Sequence, residues 1–93
     1  MSLENVRAQI DAIDEEIVKL LARRQPLVFE AATYKTDSHA VAAPDRRARM
    51  LERLASLAEQ EGVSPAIVTS VYNTLIDGFI ALELKEHARL RAD

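Results

Sequence analysis

Four charged side chains fall where a helical protein would place apolar ones: Arg24, Lys35, Arg46 and Glu83. Val6, Ile10, Ile13, Ile17 and Leu20 recur with spacings of 4, 3, 4 and 3, and the same count runs on through Arg24 to Leu27 and Ala31. That rhythm is the seam of a helix packed against other helices. Lys35 lies eleven residues beyond Arg24, and at about 100° per residue eleven residues return to nearly the same face. Arg46 precedes Met50 by four and Leu54 by eight, and Glu83 follows Ile76 by seven and Tyr72 by eleven. Taken singly, each has an ordinary explanation. A long cation can bury its stem and keep its charge wet, and Glu83 can pair with Lys35 or Arg24. Taken together, three cations and one acid describe a pocket with net positive charge inside a chain of net charge −3. Such a pocket suits a small dianion held by guanidinium forks, which match carboxylates.

Other candidates are weaker. Arg7 lies seventeen residues before Arg24, which rotates it by about 100° around the helix. On its own it reads as a solvated surface arginine; in an antiparallel dimer it could close the partner's site. His39 and His87 are far apart and there is no Cys, so no metal site is expected. Asp11, Asp14, Glu15 and Glu16 read as a solvated helix face. Arg46, Arg47, Arg49 and Arg53 form a basic edge, read as solvated with Arg46 excepted.

The elements that position these residues are helices. Ala, Leu, Glu and Arg dominate, with two Gly and three Pro, and no alternating strand pattern is present. The first helix is expected from an N-cap at Ser2 to about Tyr34 or Lys35, some 33 residues and roughly 50 Å. Pro26 lies inside it and predicts a kink between Ala22 and Pro26 rather than a break, because the seam stays in register through Leu27 and Ala31. Residues 36–43 read as a loop. The second helix opens at Pro44 with Asp45 at its positive end, turns Met50, Leu51, Leu54, Leu57 and Ala58 inward, and stops at Gly62, with Val63 folding back. Ser64 and Pro65 start a third helix expected to reach about Arg89, with 89–93 frayed. Its inward positions are Ile67, Val68, Val71, Tyr72, Leu75, Ile76, Phe79 and Ile80. A first helix this long cannot bury its seam within one chain of 93 residues, which predicts a dimer that shares its core.

Length and composition bound the rest. Ninety-three residues make one domain. Without Cys, disulfide and thiolate chemistry are excluded. No run of about 18 apolar residues is apparent, so no transmembrane helix is expected. The start of the chain lacks a signal-peptide pattern, so a cytoplasmic protein is expected. The acidic balance argues against a nucleic-acid partner.

The stretches VRAQIDAIDEEIVKLLARR, PDRRARMLERL and LIDGFIALELK, with Lys35 between the first two, resemble the small all-helical chorismate mutase family over about Leu3 to His87. The resemblance implies an all-α, three-helix chain forming an intertwined homodimer, with residues 1–93 as one mutase-like domain. It implies rearrangement of chorismate to prephenate, without metal or cofactor, in aromatic amino-acid or related metabolism. Arg24, and Arg7 from the partner chain, resemble the arginines that clamp the substrate's two carboxylates. Lys35 resembles the lysine on the ether oxygen and a carboxylate, and Arg46 the arginine at the start of the second helix. Glu83 sits where many members have a glutamine on the ether oxygen. A glutamate donates there only when protonated, so activity is expected to fall as rising pH removes its proton.

Two departures stand out. Mutases carry a glutamate, used on the ring hydroxyl, where this chain has Arg47, and the loop before Arg46 is one residue shorter. Both, with FIALELK, resemble the isochorismate-pyruvate lyase branch of the same fold, which makes salicylate and pyruvate. A third reading, from another class, is a helical dimerisation or metabolite-binding module without catalysis.

Overall fold

In a computed structural model of the protein, residues 2–34, 40 and 43–92 are described. Ser2 is extended, and its hydroxyl oxygen accepts the Asn5 N–H at 3.1 Å. This side-chain cap starts helix α1, Leu3–Ala32, which runs unbroken through Pro26. The helix stops short of the expected Tyr34. The Thr33 hydroxyl donates to the Glu30 carbonyl at 2.7 Å, and the N–H groups of Thr33 and Tyr34 bond to Glu30 and Ala31 three residues back. A short polar side chain here competes for the carbonyls that would carry the helix on. Lys35 and most of the expected 36–43 loop lie outside the described residues.

Helix α2, Pro44–Glu61, begins at the expected proline, with Asp45 in its first turn. Its cap residue, Ala43, is left-handed (φ 43°, ψ 61°) and supplies no side-chain cap. Gly62 ends the helix in the left-handed region at φ 76°, and the Val63 N–H reaches back to the Ala58 carbonyl at 2.8 Å. This is the glycine stop the sequence predicts. The Ser64 hydroxyl oxygen then accepts the Ile67 N–H at 3.3 Å and opens α3, Pro65–Ala92. That helix passes the expected end at Arg89, where Arg89 and Glu86 pair at 2.6 Å across one turn.

The chain is therefore all-α, with three helices and no strand among the described residues. Helix α3 is the centre and packs on both α1 and α2. Among the described residues the buried apolar side chains are Ala32, Ala58 and Ile76. The first half of α1 is uncovered: Val6, Ile10, Ile13, Ile17 and Leu20 are 38–56% exposed. Ile67 and Val71, expected inward on α3, are exposed as well, as is Leu57 on α2. The radius of gyration is 16.4 Å, against about 12 Å for a compact chain of this length.

The covered face of α1 also shifts. Beyond Leu20 it is Leu21, Arg24, Val28, Phe29 and Ala32, while Leu27 and Ala31 are exposed. A straight helix drifts by about 20° per heptad from a 3.5-residue repeat, so a seam extrapolated over three heptads ends up beside the true packing face. Pro65–Glu86 is long and apolar enough to cross a membrane by length and composition, with mean hydropathy 1.3. Its apolar residues lie on more than one side, which is also what the central helix of a shared core requires.

Candidate active site

The half of α1 that touches α3 carries Arg24. Its guanidinium carbon stands 5.1 Å from the centre of the Phe79 ring, within cation–π range. Its Nη1 is buried with no hydrogen-bond partner among the described residues. A buried donor left unpaired costs about 1–3 kcal/mol, and more when charged.

Arg24 faces a cavity of about 290 Å³ bounded by all three helices, close to the lower end, roughly 300 Å³, of small-molecule sites. Its apolar wall includes Leu27, Val28, Met50, Ile76, Phe79 and Ile80, and its charged lining is Arg24, Arg46, Arg47 and Glu83. Glu83 is only 5% exposed. Three guanidiniums and one carboxyl around an apolar hollow favour an anion with an apolar body. Among the described residues no group of three or more His, Cys, Asp or Glu side chains comes together.

Arg24, Arg46 and Glu83, picked out by their positions on packing faces, thus meet at one cavity. Arg46 does so from an exposed position rather than the inward one expected of it. Arg7 is exposed near the start of α1, about 25 Å along the helix from Arg24 at 1.5 Å per residue, so it does not enter the cavity of its own chain. Lys35 and His39 lie outside the described residues.

The profile of the family described as chorismate mutase type II matches residues 6–84. The chain belongs to the chorismate mutase type II family. It is 36% identical over 83 residues to an isochorismate pyruvate lyase of Pseudomonas aeruginosa, covering 89% of this chain and 82% of that one. It is 33% identical over 85 residues to a bifunctional chorismate mutase/prephenate dehydratase of Buchnera aphidicola, and 31% identical over 71 residues to a T-protein of Haemophilus influenzae. The chain spans about a fifth of the length of these last two, 22% and 19%.

Within this chorismate mutase fold, sequence reasoning missed one residue. Arg47 is not a solvated member of a basic edge. Its Nη1 donates to Asp77 Oδ1 at 2.6 Å and its Nη2 to Asn73 Oδ1 at 2.9 Å, joining α2 to α3 beside the cavity. The bond from Arg47 holds the Asp77 carboxyl below its ordinary range; desolvation opposes this, and the guanidinium charge adds to the lowering. The signal was present in the spacing. Arg47 stands three, four, seven and eleven residues before Met50, Leu51, Leu54 and Ala58, so it heads the α2 stripe more squarely than Arg46.

Proposed function

We propose that the protein is a chorismate mutase that converts chorismate to prephenate. The observation carrying this reading is the buried Nη1 of Arg24, unpartnered among the described residues, at a cavity of small-molecule size. A substrate carboxylate completes that donor's hydrogen bonding, and Arg46, also in the cavity lining, supplies a second cation. The apolar side chains around Phe79 take the ring. The reaction breaks one C–O ether bond and forms one C–C bond within a single molecule, so no proton or electron leaves. The protein's work is to hold the folded conformer and to stabilise negative charge growing on the ether oxygen. Lys35 and Glu83 are the residues assigned to that oxygen.

The second chain belongs to this proposal. The uncovered seam from Val6 to Leu20 and the exposed Ile67 and Val71 are the surfaces a second copy would cover. Pairing along α1 would bring the partner's Arg7 end toward the cavity. Substitution of Arg7 by Ala is expected to raise KM while leaving the dimer intact, as read by steady-state kinetics alongside sedimentation.

A second reading, isochorismate-pyruvate lyase, is favoured by a specific observation. The residue after Arg46 is an arginine held by Asp77 and Asn73, where a mutase would present a glutamate to the ring hydroxyl. The match over 82% of a lyase's length supports the same reading. Assaying the purified protein on chorismate and isochorismate separately, for prephenate and for salicylate plus pyruvate, decides between them.

A further inference from the structure

The start of α2 is badly held by its own residues. Ala43, the cap, makes no side-chain cap bond and sits at φ 43°, a left-handed conformation that costs a non-glycine residue stability. The helix begins from its carbonyl, which accepts the Arg47 N–H at 3.0 Å. Yet this turn forms part of the cavity wall, through Ala43, Arg46 and Arg47. What holds it lies across the gap. The Arg47 guanidinium reaches Asp77 at 2.6 Å, and it reaches both the side-chain oxygen of Asn73 at 2.9 Å and its backbone carbonyl at 3.4 Å. Asn73 and Asp77 are four residues apart on α3, so they stack one turn above the other and present two acceptors to one planar fork.

We propose that Arg47 is a positioning residue: with Asp77 and Asn73 it clamps the weakly capped start of α2 onto α3 and so fixes Arg46 in the cavity wall. The role of Arg46 rests on the function proposed above; the clamp itself does not. In this scheme Arg47 acts through Arg46 rather than on the substrate, its guanidinium turned to Asp77 and Asn73 of α3. A lysine at this position would offer a single nitrogen in place of the planar fork.

The test compares Arg47→Met, Asp77→Ala and the double variant with the parent protein. Two readouts are taken: amide hydrogen exchange in the first turns of α2, and KM and kcat on chorismate. Each single variant is expected to speed exchange over residues 45–49 while leaving the middle of α1 unchanged. Each is expected to raise KM roughly two- to fivefold, the upper range for an ion pair open to solvent, with kcat unchanged, because a displaced Arg46 weakens ground-state and transition-state binding alike. The double variant is expected to be no worse than Arg47→Met, and Arg47→Lys to leave the loss in place. Should Asp77→Ala fail to fold, Asp77→Asn is read by the same measures. A loss on Arg47→Met with an unaltered KM in Asp77→Ala would make Arg47 a substrate contact and overturn the proposal. Unchanged exchange in both single variants would overturn it as well. If the parent turns over neither substrate, the exchange readout still decides the clamp, so the two failures are distinct.

Discussion

A single nitrogen, Nη1 of Arg24, states the residue-scale problem most sharply. It is a charged donor, buried and unpartnered among the described residues, and proteins keep such groups where a ligand completes them. Truncating it to alanine should therefore have opposite effects on activity and stability. Arg24→Ala is expected to lower kcat/KM about a hundredfold or more, on the order of 3 kcal/mol of lost charge-assisted binding. The same variant is expected to melt no lower than the parent, because the unliganded protein sheds an unsatisfied cation. Kinetics and a thermal melt on one sample check both. Glu83, 5% exposed at the same cavity, gives a second prediction. Glu83→Gln, which offers an amide N–H donor in place of the carboxyl, is expected to keep or raise kcat/KM, and Glu83→Ala to lower it. Steady-state kinetics on chorismate checks both, and equal losses in the two variants would remove the donor role. Three of the five residues singled out in the sequence, Arg24, Arg46 and Glu83, converge on one cavity, because helical periodicity alone fixes which face a residue shares. Arg47 is harder to read because Arg46, one residue earlier, also matches the α2 stripe at four and eight residues from Met50 and Leu54.

At the scale of elements, the two ends of α2 make a natural contrast. Both Ala43 and Gly62 are left-handed, and only one is glycine. Gly62 has open space around the position of a Cβ, so Gly62→Ala meets no clash and is expected to destabilise by about 1 kcal/mol, from backbone strain alone. Ala43→Gly is expected to stabilise by a similar amount, about 1 kcal/mol; urea unfolding measures both. The Arg47–Asp77 clamp adds a pH dependence. The folded-state value of Asp77 is lowered, so its stabilisation is present above the unfolded carboxylate's range and is lost as pH falls through the folded-state value. Protection at the start of α2, measured against the intrinsic exchange rate at each pH, should fall in acid in the parent and change less in Asp77→Asn. The helix boundaries at Ser2, Pro44, Gly62 and Ser64 were legible because each has a local cause in capping chemistry. The early stop of α1 at Ala32 was not, since it depends on Thr33 choosing a backbone carbonyl over another helical turn. The tilt of the α1 face beyond Leu20 was hidden for a different reason: a 3.5-residue count and a 3.6-residue helix diverge with length.

For the whole molecule, the exposed seam is the governing fact. A chain with a 16.4 Å radius of gyration and Val6, Ile10, Ile13, Ile17 and Leu20 open to water has not finished burying its core. Ile13→Glu, at the middle of that seam, is expected to convert a dimer into a destabilised monomer, as read by sedimentation and thermal melting. A monomeric parent protein would contradict the shared core and with it the placement of Arg7. The central claim concerns chemistry, and product analysis tests it most directly. The purified protein is incubated with chorismate and, separately, with isochorismate, and prephenate and salicylate plus pyruvate are measured, with Arg24→Ala as the control. Prephenate from chorismate, formed about a hundredfold or more less efficiently by the control, is the predicted result. Neither product from a folded parent protein would contradict the account.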